Sequence, residues 1–144
     1  MSLNCSCSFA LTQAMNQDVK QKWIAALRSG DYKQTREQLR RNGENSYCCL
    51  GVLTDLYDKD ETVESEDHWC GDLYSYTCSG FKYKAESVLP QPVMEWAGLK
   101  DYNPSVKYSR DTTDSELDIL SLAYLNDHEY LSFEEIANLI EEQY

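Results

Sequence analysis

A chain of 144 residues with 13 basic and 25 acidic side chains carries a formal net charge of −12 and has the length of one domain, enough to bury an apolar core without metals or crosslinks. No stretch approaches the roughly 20 apolar residues of a bilayer-spanning helix, and a hydrophobic content of 42% is too rich for disorder. The acidic field repels polyphosphate at long range, which sets direct nucleic-acid binding aside.

From the N-terminus, Met1, Leu3, Cys5, Cys7 and Phe9 alternate with Ser2, Asn4, Ser6 and Ser8 at the period of a half-buried strand. Residues 1–15 are therefore expected to form a strand or arm that pairs with a sheet edge, ahead of one globular domain over 16–144. Met15 supplies a second candidate start, which would make the arm an upstream extension. Asn16 can cap a helix over 17–28 with Val19, Trp23, Ala26 and Leu27 on one face and Gly30 as its stop. Residues 31–45 combine a polar loop with a short basic helical patch around Arg36–Arg41, broken at Asn42 and Gly43. Ser46 is placed to cap a buried helix that turns Cys49, Val52, Leu53 and Leu56 inward. Gly51 costs that helix about 1 kcal/mol of propensity, so another element is expected to approach it closely.

Residues 58–67 form an acidic connector with no apolar period beyond Val63 and read as a solvated loop. Leu73–Cys78 and Phe81–Lys84 alternate about Ser79 and Gly80, which predicts a hairpin. Pro90 and Pro92 open a short helix with Val93 and Trp96 or Ala97 inward, ending at Gly98, and Asn103-Pro104 enforces extended chain. Two helices close the chain: 115–126, striped by Leu117, Leu120, Ala123 and Tyr124, and 133–142, striped by Phe133, Ile136, Ala137 and Ile140. Ser132 and Glu135 form a capping box at the second. The expected fold class is α+β: a helix-dominated single domain with a small antiparallel sheet, made of the hairpin plus the N-terminal strand, and a C-terminal helical hairpin.

Charge is unevenly distributed along this order. Residues 1–54 hold seven basic and four acidic side chains, net +3, and residues 55–144 hold six and twenty-one, net −15. Either the two regions pack against each other or the acidic one meets a cationic partner. Met1–Met15 has no basic residue and so lacks the n-region of a secretory signal, which points to the cytoplasm and to reduced thiols. Cys5, Cys7, Cys48, Cys49, Cys70 and Cys78 then read as small core residues.

Four chemistries compete with that packing role. Cys48 or Cys49, at the first turn of a helix whose dipole lowers a thiol pKa, could pair with His68 or His128 as a Cys-His nucleophile, although no hydrolase signature flanks them. His68, Cys70 and Cys78 could join Cys48 or Cys49 around zinc, but H-x-C-x7-C is not a paired knuckle and the hairpin already explains the interval. DKDETVESED clusters carboxylates as calcium loops do, yet Glu64 replaces the turn glycine and Trp69 the bidentate glutamate. Acidic C-terminal helices could also imitate the phosphate row of a duplex and occupy a DNA-binding host protein.

The blocks LRSGDYKQ, YCCLGVLTDLY, LPQPVMEWAGL and LNDHEYLSFEEIANLIEE, in this order over about residues 16–144, resemble a family of small proteins encoded by tailed phages and prophages. The resemblance implies expression in the cytoplasm of a bacterial host and an accessory role, and it brings no activity, cofactor or catalytic residue. The arm and the acidic stretch over 58–67 depart from it. The expectation is a non-enzymatic acidic interaction module without a cofactor or a membrane, contacting a host or phage protein. Its contact residues are Asp58, Asp60, Glu61, Glu64, Glu66, Asp67, Tyr74 and Tyr76. A thiol- or metal-dependent enzyme and the acidic DNA mimic are the alternatives, and the N-terminal strand offers a route to a homodimer.

Overall fold

The computed structural model describes residues 15–41, 43–64, 68–70, 73–78, 81–85, 88–109 and 118–144, with 68, 70, 73–78 and 81–85 described through their backbone. The arm over 1–14, the hairpin turn at 79–80 and the acidic residues Glu66 and Asp67 lie outside the described residues. The fold is α+β and helix-dominated.

Helix α1 spans Gln17–Arg28 because Asn16 caps it, its Oδ1 accepting from the Asp18 and Val19 N–H groups at 2.9 and 3.1 Å. It buries Val19, Lys20, Trp23, Ile24 and Leu27. The basic patch that follows is not helical. Strands β1 (Lys33–Gln34), β2 (Arg40–Arg41) and β3 (Ser46–Tyr47) form a small sheet, β1 parallel and β2 antiparallel to the central β3. Arg36 and Arg40 would repel at i,i+4 on a helix with only Leu39 to bury; instead Glu37 takes a left-handed φ of 69° and Leu39 drops wholly into the core.

Ser46 does not cap the next helix: it is buried in β3, and α2 begins three residues after it, spanning Cys49–Lys59 with Cys48 as N-cap. The Leu39 carbonyl lies against this first turn and accepts from the Cys48 N–H at 3.2 Å. A Cβ at Gly51 would stand 1.7 Å from that oxygen, the close approach its glycine foretold. α2 is the central helix, with Cys49, Leu50, Val52 and Leu53 fully buried. It also absorbs Asp58 and Lys59, which were expected in the connector.

Strand β4 (His68–Cys70), absent from the sequence reading, pairs antiparallel with β5 (Leu73–Cys78), and β5 pairs with β6 (Phe81–Ala85) in the expected hairpin, Cys78 opposite Phe81. Helix α3 (Gln91–Ala97) starts behind Pro90 and stops at Gly98, whose φ of 74° places it against the α1 cap; the Asn16 N–H donates to the Ala97 carbonyl at 2.8 Å. The expected helix over 115–126 is corrected. Asp118–Ser121 is strand β8, antiparallel to β7 (Ser105–Tyr108), and α4 covers only Leu122–Asp127, capped by the Ser121 hydroxyl. Val106 pairs with Leu120 there, so Leu120 serves a ladder and not a helical stripe, and Tyr124 is exposed.

Helix α5 (Phe133–Gln143) carries the complete Ser132–Glu135 capping box and buries Phe133, Ile136, Ala137 and Ile140. It lies against α1, where Arg28 meets Glu134 at 2.9 Å and Glu141 at 3.0 Å, while the Lys20 ammonium donates to the Glu141 and Tyr144 carbonyls. Here basic and acidic regions do pack together, with a cation on the α5 C-terminus, where the helix dipole favours it. Among the described residues no helix is long and apolar enough to cross a membrane.

Candidate functional site

Cys48 and Cys49 occupy the helix N-terminus as expected, but the activated thiol is not formed. Both are buried among Leu50, Val52 and Leu122, and the Cys49 Sγ lies 3.6 Å from the Leu122 carbonyl. Loss of hydration pushes Cys48 up to about 12 and Cys49 well above its ordinary value, against which the backbone N–H groups of the first turn pull weakly. A thiolate nucleophile is thereby disfavoured at neutral pH. Because the folded pKa values are raised, this stability is fully present below the unfolded thiol value of 9.0 and is lost as pH rises towards about 12. We expect urea stability to fall above pH 9 by up to about 1.4 kcal/mol per pH unit for each thiol. Alkylation mapped by mass spectrometry at pH 8 should leave Cys48 and Cys49 unmodified until the chain unfolds; rapid native labelling of either would contradict the burial argument.

The side chains of His68, Cys70 and Cys78 lie outside the described residues, but the strand register bears on them. Cys70 stands opposite Leu73, so Cys78 is five residues further along β5, about 17 Å at strand rise, too far for one ion to join the two thiols. Among the described residues no three histidine, cysteine or acidic groups gather to hold a metal. The second imidazole, His128, is exposed and lies over Tyr124, their ring centres 5.0 Å apart.

The calcium-like run is organised by Asp60 instead. Its Oδ1 accepts from the Thr62 N–H at 2.9 Å and hydroxyl at 2.7 Å, and its Oδ2 from the Trp96 indole at 3.2 Å. These donors, Thr62 first, hold its carboxyl below the usual range and make Asp60 a turn former. Asp58, Glu61 and Glu64 face outward.

The most developed polar constellation is one the sequence reading missed. Asp55, on α2, is 3% exposed and receives the Tyr32 hydroxyl at 2.7 Å, the Trp69 indole N–H at 3.0 Å and the Lys59 ammonium at 2.9 Å. Tyr32 and Tyr47 meet edge to face at 5.1 Å, and Tyr47 and Trp69 at 6.0 Å. The Arg40 guanidinium lies 5.6 Å from the Tyr47 ring centre and 5.2 Å from that of Trp69. Burial first, then the hydrogen bond to Asp55, lifts the Tyr32 phenol far above its ordinary value, so Tyr32 stays a donor. The cluster ties β1, β2, β3 and β4 to α2, and Lys59 reaches it from an exposed position in the last turn of that helix. Only the Asp55–Lys59 spacing of i,i+4 was visible in sequence; the aromatic partners come from three separate segments.

A second network fixes α4 to the loop after β1. Asn126, fully buried, accepts from Gln34 at 2.7 Å and donates to the Thr35 carbonyl at 2.9 Å, and Asp127 accepts from the Glu37 N–H at 2.9 Å. The bond to Asp127 holds Glu37 in left-handed backbone next to Arg36, whose guanidinium lies 4.5 Å from the ring centre of Tyr130, itself left-handed.

Residues 15–144 match the model of a family described as a domain of unknown function, DUF8296. No curated protein and no solved structure matches the chain.

Proposed function

For this chain, which belongs to the DUF8296 family, we propose the role of a non-enzymatic interaction module whose acidic lip at the end of α2, formed by Asp58, Glu61 and Glu64, receives a cationic segment of a partner protein. One observation carries this reading. The C-terminus of α2 already bears the negative end of the helix dipole, and its last-turn cation, Lys59, is ion-paired with Asp55 at 2.9 Å, while the Asp58, Glu61 and Glu64 side chains reach solvent. Charge set against the local electrostatics lowers stability unless function retains it. Burial of the Cys48 and Cys49 thiols in the apolar core supports this reading over a thiol nucleophile at neutral pH. The resemblance of the sequence blocks to proteins of tailed phages and prophages supports an accessory role in the cytoplasm of a bacterial host, with a host or phage protein as partner.

The test compares the immobilised full chain with its charge-reversed form, Asp58→Lys, Glu61→Lys and Glu64→Lys, in capture from bacterial lysate and in titration with lysine-rich peptides. Capture of a defined protein by the native chain alone, weakening as salt rises past about 0.15 M, is expected. Equal capture by both chains, insensitive to salt, would reject the lip as the contact surface.

A further inference from the structure

We propose that the open edge of β7 is the docking site of this chain's own segment Met1–Phe9, which adds to β7 as a third strand within the same molecule. β7 pairs with β8 along one side. On the other side, the peptide groups of Lys107 are answered by a single side chain: Gln143 Oε1 accepts from the Lys107 N–H at 2.8 Å, and Gln143 Nε2 donates to the Lys107 carbonyl at 2.9 Å. Two residues along, the Tyr144 hydroxyl donates to the Ser105 carbonyl at 2.6 Å. A primary amide that gives and takes at one residue copies what a neighbouring antiparallel strand supplies. The edge is therefore set for ladder pairing and held by stand-ins, of which Gln143 is exposed and free to swing aside at little packing cost.

Beside this edge lies an open groove of about 690 Å³ with Val106, Ile119 and Leu139 in its lining, and Ile119 is 73% exposed. A second hollow, of about 240 Å³, shares Ser105 and Tyr144 with the groove and extends to Gly98. The described chain begins there: a Cβ at Gly98 would lie 3.6 Å from the Met15 Cα. Met15, the first described residue, thus stands at one end of a trough whose other end is β7. Residues 10–14, extended, cover about 16 Å, which brings the alternating stretch to the groove. Met1, Leu3, Cys5, Cys7 and Phe9 can then face its apolar lining while Ser2, Asn4, Ser6 and Ser8 face away, and no charge among them opposes Lys107 or Glu142. A strand placed there also covers an edge that would otherwise template pairing with another chain.

The experiment is amide hydrogen exchange by NMR on the full chain and on its Leu3→Pro, Ser6→Pro form. One proline at an odd and one at an even position removes a ladder donor whichever side faces β7. Protection of the Ser105 and Lys107 amides should fall about tenfold or more in the proline form. Cys5 and Cys7 should alkylate several-fold faster, both chains should remain monomeric by light scattering, and Trp23 emission should report the same buried core. Ile119→Asp, at an exposed position, should speed the same two alkylations with the arm untouched. Equal protection and equal alkylation in all three chains overturn the proposal. So does a native dimer that the prolines dissociate, which would give the edge to a second copy.

Discussion

Gly51→Ala is expected to lower stability by about 3 kcal/mol or more. The new Cβ would stand 1.7 Å from the Leu39 carbonyl oxygen and 2.6 Å from its carbon, and both are backbone, so no side chain can turn away to make room. Either α2 moves off β2 and β3, exposing Cys49, Leu50 and Val52, or Leu39 lifts out of the core and its carbonyl loses the Cys48 N–H. The alanine's better helix propensity returns only about 1 kcal/mol. Urea unfolding should show the midpoint lowered by about 1–2 M with the slope little changed. A variant within about 1 kcal/mol of the parent would mean that the loop carrying Leu39 yields freely, and the close packing of loop on helix would have to be given up.

This position also shows how far the sequence could be read. A glycine inside an apolar helix declared that something lay against it, and local signals of that kind held elsewhere: Asn16 capping α1, the Ser132–Glu135 box, Pro90 before α3 and the alternation that pairs β5 with β6. What failed depended on partners distant in sequence. Asp118–Ser121 is a strand because β7 waits for it, and Arg40–Arg41 is a strand because β3 lies alongside. Neither fact is written in the periodicity of the segment itself. The site followed the same division. Cys48 and Cys49 stood at a helix start as read, yet their reactivity is governed by the desolvation around them, which no spacing reveals. The Asp55 cluster drew Tyr32, Tyr47 and Trp69 from segments that local patterns treat as unrelated.

Asp55→Ala is expected to cost about 3 kcal/mol, because it removes one acceptor and orphans two donors, the Tyr32 hydroxyl and the Trp69 indole N–H. Tyr32→Phe deletes a single bond and should cost about 1 kcal/mol, while Lys59→Met should be nearly neutral, since the Lys59 side chain is 66% exposed. Urea unfolding of the three variants, with Trp69 emission shifting to the red only where Asp55 is lost, separates the carboxylate's role from that of its cation. Equal costs for Asp55→Ala and Lys59→Met would mean that the ion pair, and not the convergence of neutral donors, holds the cluster. The same substitutions reach the acidic lip. Without Asp55, Lys59 is released to lie among Asp58, Glu61 and Glu64, so a cationic partner should bind more weakly to Asp55→Ala than to the parent, whereas Lys59→Met, which removes the competing cation, should bind it at least as well. Opposite ordering of these two variants in the peptide titration would separate the buried cluster from the surface it is argued to prepare.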